Sequence, residues 1–211
     1  MFRIKIAMIV GGLVLAFWGI QEFRLSQEAK ETPQTISCGD LSAKGPGGNA
    51  NIVMTDSLIC IDSFVYEAKK NGTTWNKVWV PVVPMDGEYV QQIREMIQKN
   101  GGNTNITLPP PQNIKVILKS SKIPSQAELV ALSNQTTVTG LVTNKIESLG
   151  DKERKILEQS YPGTDFTKCY IVDHDRKPYG FGQVAGLTGG GLVLSLVGVG
   201  MMVAGRSNSR S

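Results

Sequence analysis

The sequence predicts an α+β protein: a small domain on a curved or barrel-like β sheet with short helices, set between two transmembrane helices. Three observations predict it. Uncharged apolar runs lie near both ends of the chain, at 6–20 and 184–205. Between them, short β-rich segments come first and then alternate with short helical ones. The basic excess sits at the flanks. Leu25 to Gln183 holds 17 Lys/Arg and 17 Asp/Glu, and the net +4 comes from Arg3, Lys5, Arg24, Arg206 and Arg210 less Glu22. A neutral middle with cationic ends argues for membrane flanks and against a nucleic-acid-binding face.

The first run, IAMIVGGLVLAFWGI, rises only about 22 Å as a helix, less than the hydrocarbon thickness. Phe2, Ile4 and Phe23 extend it to 4–23, Arg3 and Lys5 snorkel outward, and Trp18 suits the far interface. No A-x-A-like site follows it, which favours an uncleaved anchor over a signal peptide. The second run, 184–205, rises about 33 Å and is rich in glycine, which lipid tolerates better than water does. Gly182, Gly186 and Gly190 repeat at four-residue spacing and predict a helix-packing stripe. Gly191 and Ser195 form a second small pair, and Gly12 with Ala16 offers a matching groove on the first helix. The stripe serves either packing of the two helices or pairing with another chain, by self-association or with a membrane protein partner. Short basic ends, including the tail 206–211, place both termini in the cytoplasm and the domain outside it.

Residues 24–34 are polar and read as a tether into a domain covering 35–178. Ser37 and Asp40 make a capping-box-like pair for a short helix ending at Gly45-Pro46, and 45–49 is a turn. Strands are expected at 51–55, 58–66 and 75–83. In the last, Trp75 and Trp79 share one face, while Pro81 and Pro84 make it an edge strand or end it early. Asn71-Gly72 is a hairpin dipeptide. Asp86 can cap a helix over 87–99 with Val90, Ile93 and Ile97 inward, stopped by Gly101-Gly102. The segment 100–112, ending in Pro109-Pro110-Pro111, reads as a long exposed loop. The span 113–119 is an alternating strand with Ile114, Val116 and Leu118 on one face. Ser125 and Glu128 box a short helix. A strand at 136–143 contains Gly140, a site of bulge or close backbone approach. The span 151–160 is a charged helix with Leu149, Ile156 and Leu157 as its apolar edge and an Asp151–Lys155 pair. A last strand covers 168–173.

Catalytic signatures are sparse. The chain has one histidine and no C-x-x-C, G-x-S-x-G, H-E-x-x-H or Walker loop. Cys169, His174 and Asp173 are the candidates for a thiol- or metal-dependent enzyme. Against this, Cys169 and His174 fall on opposite faces of one strand, and a zinc site needs more N or S ligands. Cys38, Cys60 and Cys169 read either as buried small residues or as one bridged pair and a free thiol. Asn71, Asn105 and Asn134 open glycosylation sequons, and with roughly 1.5 expected by chance they decide nothing. No cofactor is expected. Partners are expected at the glycine stripe, or at a Trp75/Trp79 face with the 100–112 loop beside it. The alternative for both tryptophans is burial under a helix.

Val78-Trp79-Val80-Pro81 and Thr137-Val138-Thr139-Gly140, between two terminal membrane helices, resemble the Surfeit-locus cytochrome oxidase assembly proteins. The resemblance covers the topology and about ten residues; Lys77-Val78 stands where that family has Arg-Gly. It implies an extracytoplasmic β-rich domain that assists assembly of a haem-copper oxidase. Membrane-embedded ubiquitin ligases share the layout, but this chain has no RING cysteine array. The expected function is a membrane-tethered interaction, assembly or scaffold protein without catalytic activity.

Overall fold

A computed structural model describes residues 2–70, 72, 74–103, 107–143 and 151–207. The chain divides into two units, one formed by 1–28 with 178–211 and the other by 29–177.

The first unit is a helix pair, α1 (Phe2–Glu28) and α6 (Phe181–Ser207). Arg3–Glu28 and Phe181–Ala204 are long and apolar enough to cross a membrane. Most of their large side chains, including Val10, Phe17, Leu196 and Val203, are exposed, as suits contact with lipid.

The second unit contains β1 (Gln34–Ser37), α2 (Cys38–Lys44), β2 (Asn51–Thr55), β3 (Ser57–Ile59), β4 (Val65–Ala68) and β5 (Trp75–Pro84). There follow α3 (Glu88–Lys99), β6 (Val116–Ser120), α4 (Gln126–Ser133), β7 (Val138–Val142), α5 (Asp151–Ser160) and β8 (Tyr170–His174). The eight strands form one nearly closed, barrel-like sheet in the order β1-β2-β7-β8-β6-β5-β3, with β4 also on β5. The α+β class therefore holds. Val78, Val80, Val82, Val116, Leu118, Val138, Ile52, Met54 and Val172 are buried on one face of the sheet. On the other face, Leu157 and Tyr161 of the α5 region close over Trp79, Ile117 and Cys169. Because both faces are covered, β6 does not alternate: Val116, Ile117 and Leu118 are all buried.

Several local expectations are met. Ser37 Oγ accepts the Asp40 N–H at 3.0 Å and caps α2, which stops at Gly45. Gly101 and Gly102, both at positive φ, end α3. Gly140 is a close approach: a Cβ there would lie 2.7 Å from the Asp173 carbonyl oxygen. Leu149 and the Asp151 side chain lie outside the described residues.

Other expectations are corrected. The expected tether is structured at both ends, since α1 runs to Glu28 and β1 begins at Gln34. Asn51 Nδ2 donates to the Lys30 and Glu31 carbonyls and Asn49 Nδ2 to that of Thr32, so side chains far along the chain order this polar stretch. Gly87, not Asp86, precedes α3 as its N-cap. Ser125 Oγ bonds the Glu128 carboxylate rather than a backbone N–H. The 58–66 segment is broken into β3, a 3-10 turn at Ile61–Ser63 and β4.

That break explains the largest difference. β5 is a paired central strand, not an edge, despite Pro81. In an antiparallel strand a residue's N and O face the same side. The Pro81 carbonyl accepts the Cys60 N–H at 2.9 Å, so the missing Pro81 N–H also faces Cys60. The Cys60 carbonyl, which would have taken that N–H, accepts from Ser63 N–H at 3.0 Å in the 3-10 turn. The proline and the break in its neighbour thus leave no group unpaired at this position.

Candidate functional site

The close seam of the helix pair is made by the second small pair, not by the predicted stripe. A Cβ at Gly12 would stand 2.5 Å from the Gly191 carbonyl oxygen, and one at Gly191 would stand 2.5 Å from Ala16 N. Gly19 meets Thr188 N at 2.7 Å and Gly198 meets Ile9 Cγ1 at 2.7 Å on the same reckoning. Gly12, Ala16 and Gly19 therefore face Thr188, Gly191, Ser195 and Gly198 at three- and four-residue steps, backbone almost on backbone. Ser195 Oγ lies 3.0 Å from the Gly191 carbonyl and 3.3 Å from that of Ile9, and Lys5 Nζ donates to Met201 O at 2.6 Å. Gly182, Gly186 and Gly190 have open space where a Cβ would go. Gly186 and Gly190, with Leu15, Tyr179, Gln183 and Leu187, line an open groove of about 470 Å³.

The two tryptophans separate. Glu67 pairs with Lys77 but Ala68 pairs with Trp75, so Asn76 is an extra residue, a β-bulge, in β5. Its Nδ2 reaches the Glu67 carboxylate at 3.3 Å. The inserted residue reverses the alternation, and Trp75 leaves the face of Trp79. Trp79 is 1 % exposed, in the core with Ile114, Ile117, Leu157, Tyr161 and Cys169, which removes it as a partner anchor. Trp75, half-buried, joins Phe64 and Tyr66, with ring centroids 4.9 and 5.0 Å away. Tyr66 is 49 % exposed. Pro109 and Pro110 of the expected 100–112 loop do not adjoin these rings; residues 104–106 lie outside the described residues. Pro109 and Pro110 lie beside Val82, Val83 and Pro84, at the far end of β5, and line a cleft of about 490 Å³ with Tyr89, whose hydroxyl donates to Pro109 O at 2.6 Å.

Cys169, His174 and Asp173 are not brought together. Cys169 is buried against Trp79, and burial pushes its thiol up to about 12. Cys38 and Cys60, also buried, are pushed up to about 12 by the same cause. Asp173 lies on the Cys169 face, 3.3 Å from Arg176 and 4.0 Å from Lys119. His174 is on the opposite face, level with Ser120 and Gly140. Its Nδ1 is 3.4 Å from Ser120 Oγ, which also accepts the Lys122 N–H at 3.1 Å, and its Nε2 is 3.8 Å from an Asp175 carboxylate oxygen. Burial holds the imidazole below its ordinary range, with Lys122 acting in the same direction and Asp175 and Asp173 against it. Ser120 is fully buried, so this Ser–His–Asp contact offers no accessible nucleophile. Among the described residues, no group of three His, Cys, Asp or Glu could hold a metal.

Sequence reasoning missed the aromatic trio. Phe64 and Tyr66 are two apart and share a face, which periodicity could have flagged; the bulge that brings Trp75 to them has no such signal. Comparison with family profiles, curated proteins and solved structures finds no match for the chain.

Proposed function

We propose that the chain is a two-pass membrane protein whose extracytoplasmic domain serves a non-catalytic interaction or assembly role. Its membrane partner, a second copy or another protein's helix, seats on the Gly182/Gly186/Gly190 stripe. One observation carries this reading. α1 and α6 meet through Gly12, Gly19, Gly191 and Gly198, so the other glycine row is not explained by packing within the chain and borders an open groove. Smooth rows of this kind let a further helix approach closely in lipid. Assembly of a membrane complex, the role that the Surfeit-locus resemblance implies, is one specific form of the reading. The separation of Cys169 and Asp173 from His174 leaves the enzyme alternative without an assembled site.

Carbonate extraction of membranes is expected to retain the full chain, and protease added to intact cells is expected to reach 29–177 but neither terminus. Gly186→Leu with Gly190→Leu should weaken in-membrane association about tenfold, read by cross-linking in membranes, with the domain still folded. Gly191→Leu should instead disrupt the α1–α6 seam. Undiminished association of the double variant rules the stripe out.

A further inference from the structure

We infer that the Phe64/Tyr66/Trp75 trio and the adjoining Lys69 and Lys70 form a docking surface for the headgroup region of a lipid bilayer with anionic lipid.

The chemistry is interfacial. Tyr and Trp rings combine an apolar body with a polar edge and are favoured at the depth of the headgroups, where nearby lysines meet phosphate. The three rings pack on one another with centroids 4.9–5.9 Å apart, forming one apolar platform. Tyr66 is exposed, as are Lys69 and Lys70, which continue directly from β4. The turn that holds them is tied by Lys69 N–H to the Thr74 carbonyl at 2.9 Å and Gly72 N–H to that of Lys69 at 2.8 Å.

Position selects a bilayer over other occupants. Trp75 N–H donates to the Pro124 carbonyl at 2.8 Å, and Lys122, two residues earlier, donates from Nζ to the Asp175 carbonyl at 3.0 Å. The rings are therefore joined through one short connection to the point where the chain leaves β8. Phe181, the first residue of α6, is six residues beyond Asp175. Six extended residues reach about 20 Å at most. β4 and β8 also run in the same direction, since β5 is antiparallel to both β4 and β6 and β6 is parallel to β8. Lys69 and Lys70 thus extend from the sheet in the direction in which β8 runs. Arg176 and Lys177 add cationic residues along that exit.

The inference rests on the chain being membrane-anchored, and the experiment separates the two. Full-length protein carrying Trp18→Phe is reconstituted into phosphatidylcholine vesicles with and without phosphatidylglycerol. Flotation with the vesicles tests anchoring. Bromine-labelled lipid then tests the surface, because only Trp75 and Trp79 remain and Trp79 is sealed in the core. Quenching of about half the emission is expected in anionic vesicles, lost on adding Trp75→Phe, while the Trp79 emission persists and reports a folded domain. Lys69→Gln with Lys70→Gln should lower the docking constant, read from the quenched fraction, about thirtyfold. Flotation without quenching of Trp75 overturns the inference and leaves the anchor standing. A Trp75 shielded from aqueous quencher only when a protein partner is added also overturns it. Failure to float removes the membrane reading itself.

Discussion

Trp75 and Trp79 stand four residues apart on one strand and have opposite fates. Trp79 lies in the core under α5; Trp75 is at the surface with Phe64 and Tyr66. Composition does not distinguish them, and strict alternation would place them together. A single inserted residue, Asn76, separates them. The face on which a side chain emerges is thus set by the pairing of the strand with its neighbour, not by the strand's own sequence.

The comparison is broken most severely at Trp79. Trp79→Ala is expected to cost about 3–5 kcal/mol, because the cavity is walled by Leu157, Tyr161 and Ile117 and cannot collapse readily. A urea titration followed by near-ultraviolet dichroism reads this. The same variant should speed maleimide labelling of Cys169, which is slow in the intact protein because the thiol is buried and its thiolate scarce. Deletion of Asn76 is a sharper test. It removes the bulge while Lys77 stays opposite Glu67 and Trp75 opposite Ala68, so Trp75 is expected to keep to the Tyr66 face, with the ring-stacking dichroism retained and a loss of about 1 kcal/mol at most. Loss of stacking after the deletion would show that pairing with β4 does not set the face.

Trp75→Ala should cost only about 1 kcal/mol, the scale of the lost aromatic contacts, with no change in Cys169 labelling. The smallest effect concerns His174, on the sheet face that carries Tyr66. Burial keeps the folded imidazole below its ordinary 6.5, so as pH falls the unfolded chain takes up the proton first. Stability should be level above pH 6.5 and decline between 6.5 and the folded value. His174→Gln should flatten that decline in urea midpoints measured across pH. An unchanged decline would assign it to carboxylates instead.

How far the fold was legible follows from the range of the forces involved. β2 and α5 match the expected 51–55 and 151–160, and Gly12 with Ala16 does meet Gly191 with Ser195, because apolar runs, caps and small-residue spacing are local signals. What escaped was made by partners distant in sequence. Pro81 lies in a central strand because a turn at residues 61–63 takes the carbonyl that its absent N–H cannot serve. β1 forms in a polar stretch beside residues held by Asn49 and Asn51. At the candidate site, the opposition of Cys169 and His174 was readable from strand parity, whereas the split of the tryptophans was not.

The seam between Gly12 and Gly191 also has a consequence for the stretch of chain between the helices. Two helices held side by side fix both ends of the chain from Ala29 to Lys177, so this stretch behaves as a closed ring. Its unfolded ensemble is then poorer in conformations than that of a free chain. For a covalent cross-link closing a loop of this length, the chain-entropy argument gives about 5 kcal/mol as a ceiling. A domain cut loose from its helices would forfeit that constraint while every contact in its sheet stayed the same.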